Sequence, residues 1–204
     1  MKHPDHVNLL RPADLSLGGT WADFGAGTGA FTLALRELVG TDAEIYAVDR
    51  TGGDLRQLQE AYHKRFGDTG KLHLVVGDFT RPLDLPPLDG MLMANSLHYF
   101  RDDATSGKAS GTVTPPDPGS HLGEHLRDKL SLLRYFGSFL KPGGMFLLVE
   151  YNVDSGNPWV PYPLSFQTWQ RLAKEAGFTE PRLLTTHPSS FLREFYSAVC
   201  YREA

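Results

Sequence analysis

The sequence predicts an α/β fold: one doubly wound sheet of seven strands, mostly parallel, closed by an antiparallel C-terminal strand. Three observations predict it. Short apolar runs of strand length alternate with segments of helical apolar spacing, and strands that alternate with helices are joined by crossovers and lie parallel. A glycine turn, "FGAGTG", separates the first apolar run from the first helical pattern, the place where a doubly wound sheet meets its ligand. The last two runs, "PRLLTTH" and "EFYSAVCYR", have only a short Pro188-containing connection between them. It is too short for a crossover helix, so the pair is antiparallel.

Each element follows in order. Residues 7–17 hold about two helical turns ahead of the first strand, "TWADF". Ala30–Val39 then carries Phe31, Leu35 and Leu38 at helical spacing. "AEIYAVD" is the second strand, and the helix after it places Leu55, Leu58, Tyr62 and Phe66 on one face. "KLHLVVGD" and "LDGMLMAN" are the third and fourth strands. Residues 101–120 are polar and rich in Gly, Pro and Ser, with no periodicity, which fits a flexible insertion or a lid. Leu122, Leu126, Leu130, Leu133, Phe136 and Leu140 mark a long amphipathic helix that "KPGG" ends, since Pro and Gly break helices. "MFLLVEY" is the fifth strand, followed by a loop with aromatics, "NVDSGNPWVPYPLS". Ser165 caps a helix containing Trp169, Leu172 and Ala176, and Gly177 stops it. With no internal repeat or linker, the 204 residues are expected to form one domain.

Bulk properties narrow the function class. The chain is 41% hydrophobic with a formal net charge of -4. That balance suits a soluble globular protein and argues against nucleic acid as a partner, because phosphate binding favours a basic surface. A single cysteine, Cys200, rules out an intrachain disulfide. No apolar run is long enough for a membrane span, and the first residues lack a signal-peptide core. A cytoplasmic protein is expected. No metal-ligand cluster is visible in the spacing, and the oligomeric state is not legible.

The turn carries the ligand question. Gly25, Gly27 and Gly29, with Ala26 among them, let a ligand approach the backbone, and the helix N-terminus behind them offers N–H donors. Gly25, Gly27 and Ala30 also satisfy a loose dinucleotide fingerprint, with Asp49 at the right remove for a ribose diol. Asp23 stands just before the turn. A carboxylate there would repel a pyrophosphate. S-adenosylmethionine carries no phosphate, and its ammonium would be favoured by the same acid.

With these residues in view, the chain resembles the class I S-adenosylmethionine-dependent methyltransferases, whose sheet is Rossmann-like. The resemblance runs from Trp21 to the C-terminus, with residues 101–120 unmatched. "DFGAGTG" is similar to the family's first motif and "AVDR" to its second. "VVGDF" resembles the third, "DGMLMANSLHYF" the fourth, and "FLKPGGMFLLVEY" the entry to the fifth strand. The resemblance implies S-adenosyl-L-methionine as cofactor, with Asp49 on the ribose hydroxyls. It further implies Asp78 on the adenine amino group, the Phe79 N–H on a ring nitrogen, and Asn95 beside the methionine end. Arg50 departs from the family's usual apolar residue and could stack on adenine.

Methyl transfer needs alignment and exclusion of water more than a conspicuous catalytic group. The candidates are residues just past the fourth and fifth strands. His98 is the best base by intrinsic pKa, and Glu150 could pair with it or with the acceptor. Tyr99, Tyr151, Trp159 and Tyr162 could wall a small-molecule substrate. An NAD-dependent oxidoreductase and a non-catalytic S-adenosylmethionine-binding module are the rival readings. No Tyr-x-x-x-Lys pair supports the first.

Overall fold

The computed structural model describes residues 1–12, 14–67, 71–101 and 128–204. Seven strands form one sheet: β1 (Thr20–Phe24), β2 (Glu44–Asp49), β3 (Leu72–Val76), β4 (Leu88–Ala94), β5 (Leu140–Tyr151), β6 (Arg182–Pro188) and β7 (Glu194–Tyr201). Their spatial order is β3-β2-β1-β4-β5-β7-β6. Pairings from β3 through β5 are parallel, and β7 runs antiparallel to both its neighbours, β5 and β6. The antiparallel C-terminal strand therefore lies inside the sheet, and β6 forms the edge.

Among the described residues, five α-helices cover the two faces: α1 (His3–Leu9), α2 (Ala30–Val39), α3 (Gly52–Phe66), α4 (Lys129–Phe139) and α5 (Phe166–Glu175). Side chains alternate across a strand, and β5 shows the consequence. Its Phe146 and Leu148 pack with Leu132, Phe136, Trp169 and Leu172 from α4 and α5. Its Met145, Leu147 and Val149 pack on the other face with Val7, Leu9 and Leu35 from α1 and α2. Leu55, Leu58 and Tyr62 of α3 cover Ala47 of β2 on that second face. Burial on both faces is why the central strands read as continuous apolar runs.

Three boundaries differ from the sequence reading. The first helix is α1, which overlaps the expected 7–17 segment only at Val7–Leu9. The Lys2 N–H donates to the Asp5 carboxylate at 2.7 Å, Pro4 sits in the first turn, and Pro12 follows the end. "KPGG" lies within β5 instead of forming a cap. Gly143 N–H donates to Arg202 O at 3.0 Å and Arg202 N–H to Gly144 O at 2.9 Å, which draws the segment onto the end of β7. The start of α4 is set at Asp128, whose carboxylate accepts from Ser131 N–H at 2.8 Å and from Ser131 Oγ at 2.9 Å. Leu122, Leu126 and nearly all of the 101–120 insertion lie outside the described residues. Arg101 and Asp128, which flank that stretch, form a bridge in which Lys129 N–H donates to Arg101 O at 2.7 Å.

One close approach fixes β1 against β4. Gly90 is the partner of Trp21, and an added Cβ would overlap the six-membered ring of the indole. Trp21 is itself anchored by its Nε1–H to Gly18 O at 3.0 Å. Gly90→Ala is therefore expected to destabilise the chain by about 1–3 kcal/mol through overpacking. Urea unfolding should show a lower midpoint with an unchanged slope.

Candidate functional site

β1 to β5 all end at the same edge, and ligands of a doubly wound sheet bind there, where the strand order reverses. Here the reversal falls between β1 and β4. A cleft of about 410 Å³ opens beside it, between Gly25 after β1, Asp49 at the end of β2, Asp78 after β3 and Asn95 after β4.

The bend at the end of β1 has internal causes. Gly25 has φ +84 and an added Cβ would stand 2.7 Å from Ser96 Cβ, while at Gly29, φ +88, it would overlap the side chain of Leu58 on α3. Neither position accepts another residue without strain. The turn's amides are largely committed to β2. Gly25 and Ala26 N–H donate to Val48 O at 2.9 and 3.1 Å, and Gly27 N–H donates to the Asp49 carboxylate at 2.9 Å. The other Asp49 oxygen accepts from Thr51 N–H at 2.8 Å, at the N-terminus of α3. One carboxylate thus locks two turns together.

The cleft is acidic. Asp49, Asp54 and Asp78 line it, against one cation, Arg50, among the described residues. Asp78 is held by Thr80, whose N–H and Oγ donate to one of its oxygens at 2.9 and 2.7 Å. Phe79 also lines the cleft and packs edge-on to Phe24. Asn95 has φ +54, and its N–H donates to Val149 O at 2.9 Å. Its side-chain Oδ1 is buried with no hydrogen-bond partner among the described residues. A buried acceptor left unmade costs about 1–3 kcal/mol, so Asn95 Oδ1 is poised for a donor that a ligand would bring. Asp54 and Ser96 were not singled out from sequence. An acid in the first turn of a helix reads as an ordinary dipole partner, and Ser96 is fixed by donating from Oγ to Phe24 O at 2.9 Å.

Asp23 is placed differently from the expectation. It is 1% exposed and does not line the cleft. Its carboxylate accepts from Thr32 Oγ at 2.6 Å. Burial pushes its pKa up to about 7, with a smaller push from Asp49 and an opposing pull from the Thr32 bond. Charge at the turn therefore comes chiefly from Asp49 and its cleft neighbours.

His98 and Glu150 come together as a buried pair. His98 Nδ1 lies 2.8 Å from a Glu150 oxygen, and the other oxygen accepts from Leu97 and His98 N–H at 2.9 and 3.2 Å. His98 is 3% exposed and Glu150 0%, and neither lines the cleft. Glu150 as placed holds the 3₁₀ turn at Leu97–Tyr99. Tyr99 does line the cleft, and its ring centroid is 4.4 Å from that of His98. Tyr151 lies 6.0 Å from the same imidazole. Trp159 is exposed in the loop after β5. Tyr162 is diverted: Arg101 stands 5.8 Å over its ring, and the buried Lys129 ammonium donates to its carbonyl at 2.6 Å.

Comparison with known proteins agrees with this architecture. A model of the methyltransferase domain matches residues 22–110. The chain is 40% identical over 117 residues to ribosomal RNA small subunit methyltransferase A of a Synechococcus species, covering 54% of this chain and 38% of that protein. Its fold is similar to that of mitomycin 7-O-methyltransferase, with a TM-score of 0.66 across 99% of this chain and 54% of that one, at 16% identity. It is also similar to magnesium protoporphyrin IX methyltransferase from Synechocystis, solved with bound S-adenosylmethionine, with TM-score 0.61, 12% identity, and coverage of 92% and 71%. The chain thus spans well under two thirds of the first two proteins. Among the described residues, no helix is long and apolar enough to cross a membrane, and no group of three or more His, Cys, Asp or Glu could hold a metal ion.

The Asp23 environment has a pH consequence. Between its unfolded pKa and about 7, the folded chain keeps a proton that the unfolded chain releases. This group therefore subtracts stability as pH rises through that window, and the loss levels off above it. In Asp23→Asn, the difference in melting temperature from the parent should be in the variant's favour and grow between pH 4 and pH 7. A constant difference across that range would contradict the assignment.

Proposed function

We propose that this chain is a class I S-adenosylmethionine-dependent methyltransferase that transfers a methyl group from S-adenosyl-L-methionine to a small-molecule acceptor. The single observation that carries the cofactor reading is the cleft itself. Among the described residues it has three carboxylates against one guanidinium, and a buried acceptor, Asn95 Oδ1, that none of them satisfies. A diphosphate would meet net repulsion there, whereas a cationic nucleoside brings the donors the cleft lacks.

In this reading Asp49 takes the ribose hydroxyls. A carboxylate offers about four lone-pair directions, and two are used by Gly27 and Thr51. Asp78 takes the adenine amino group, and the Phe79 N–H takes a ring nitrogen. Arg50 can lay its guanidinium on the adenine face. Asn95 Oδ1 accepts from the ammonium at the methionine end. Asp23 acts from behind, bracing the turn through Thr32. When bound, the cofactor would supply a methyl carbon activated by positive sulfur, open to in-line displacement with the carbon–sulfur electrons returning to sulfur.

The chain's own work is to align the acceptor, exclude water and take up a proton where the acceptor carries one. With Nδ1 committed to Glu150, Nε2 is the His98 atom left for that proton. A ribosomal RNA substrate is the second reading, favoured by the Synechococcus match. The acidic cleft and the net charge of -4 count against it.

Asp49→Ala should weaken S-adenosylhomocysteine binding roughly 5- to 150-fold, the loss of two hydrogen bonds. Calorimetry on the folded variant measures this, and unchanged affinity would remove Asp49 from the cofactor site. Glu150→Gln keeps the shape of the pair but not its charge. Turnover should fall by about tenfold or more with cofactor affinity intact. An unaltered pH–rate profile would return the pair to a structural role.

A further inference from the structure

We infer that the acceptor is a flat, uncharged aromatic ring, seated on a strip of rings that runs from the cofactor cleft to the β6–β7 hairpin, with Phe191 as its far wall. The inference rests on the cofactor reading above, because the strip's near end is Tyr99, which lines the same cleft.

The strip is continuous. From His98 and Tyr99 it passes to Tyr151, then 6.1 Å to Phe191, and 6.3 Å from Phe191 to Trp159 in an edge-to-face contact. Phe195 underlies it, 4.3 Å from Tyr151. These rings come from the turn after β4, the end of β5, the loop after β5 and the β6–β7 connection, all at the carboxyl edge. Most aromatic side chains in the chain are buried or half-buried, yet Tyr99 is 60%, Trp159 72% and Phe191 49% exposed. Exposed rings grouped in this way mark a surface meant to be covered.

The hairpin presents Phe191 by construction. Ser189 Oγ accepts from Phe191 and Leu192 N–H at 3.1 and 3.4 Å, and Ser189 N–H donates to Arg193 O at 2.8 Å. Arg193 takes up the turn at φ +52. The sequence signal was slight, a lone Phe in "PSSFLRE", since nothing local shows that it will meet Trp159.

Charge distribution selects the occupant. Phe191, Phe195 and Trp159 have no ionisable group, and burial raises the Tyr151 phenol further above its ordinary range. The nearby carboxylates are turned to other work: Glu194 accepts from Asn152 Nδ2 at 2.7 Å, and Asp154 from Ser165 N–H and Thr168 Oγ at 2.8 and 2.9 Å. A nucleotide's phosphate would find no cation among the strip residues, whereas a neutral ring gains stacked and edge contacts along its length.

The test uses the full chain with 2-naphthol, its saturated counterpart decahydro-2-naphthol, and uridine 5′-monophosphate as probes, each titrated with and without saturating S-adenosylhomocysteine. 2-Naphthol should bind about tenfold more tightly than the saturated alcohol. Phe191→Ala, Phe191→Leu and Trp159→Ala should each weaken it roughly fivefold. All three should leave S-adenosylhomocysteine affinity within about twofold. Equal binding of the two alcohols, indifference to the Phe191 variants, or preferred binding of the nucleotide would overturn the proposal. Absence of S-adenosylhomocysteine binding alongside ring-selective naphthol binding would instead strike the cofactor reading and leave the strip standing.

Discussion

The site depends on one carboxylate, Asp49. Its two oxygens hold the Gly27 amide of the turn after β1 and the Thr51 amide at the head of α3. The two segments that bound the cleft are joined through a group that itself faces into it. Around this link the sheet supplies rigidity. Gly25 and Ala26 are tied to Val48, Gly29 packs on Leu58, and the β1–β2 register sets Asp23 opposite Ala47 and Phe24 opposite Val48. A site built this way keeps its geometry without a ligand, so little conformational entropy remains to be lost on binding.

Asp49 alone would suit the ribose of a dinucleotide as well, so selection falls to the rest of the lining. A glycine turn ahead of a helix is neutral between phosphate and other ligands until its surroundings are counted. Here the amides that would cradle a phosphate are spent on β2 and Asp49, and Asp54 and Asp78 add further negative charge. The acid in front of the turn, Asp23, serves packing through Thr32 and holds its proton to near neutral pH. Discrimination against a diphosphate is thus carried by groups that line the cleft and not by the one that precedes it in sequence.

Much of this was legible in the residues. The strands from "TWADF" to "EFYSAVCYR", the turn, the extent of α2 and the Ser165 cap were all readable, because period and turn chemistry are local properties. Asp49 was legible from its spacing after the glycine turn, and Asp78, Phe79 and Asn95 through the motifs of the resemblance; all four lie at or just past the carboxyl end of a strand and line the cleft. What failed depends on long-range contact. Nothing near Asp23 in the chain says that Thr32 lies against it. The burial of His98 and Glu150 follows from a pairing 52 residues apart. Phe191 acquires its neighbours only when the hairpin folds beside β5. "KPGG" is a helix-stop signal by composition and became strand because Arg202 offered it a partner.

The division of labour follows from the topology. The β1–β4 switch point sets a polar, acidic compartment beside an aromatic strip, with Tyr99 at the boundary of both. The central claim concerns the first compartment, and calorimetric titration of the unmodified chain with S-adenosylhomocysteine and with NAD, under identical buffer, tests it most directly. Saturable one-site binding of S-adenosylhomocysteine with no measurable heat from NAD is the predicted result. NAD bound as tightly as S-adenosylhomocysteine, or in its place, would contradict it.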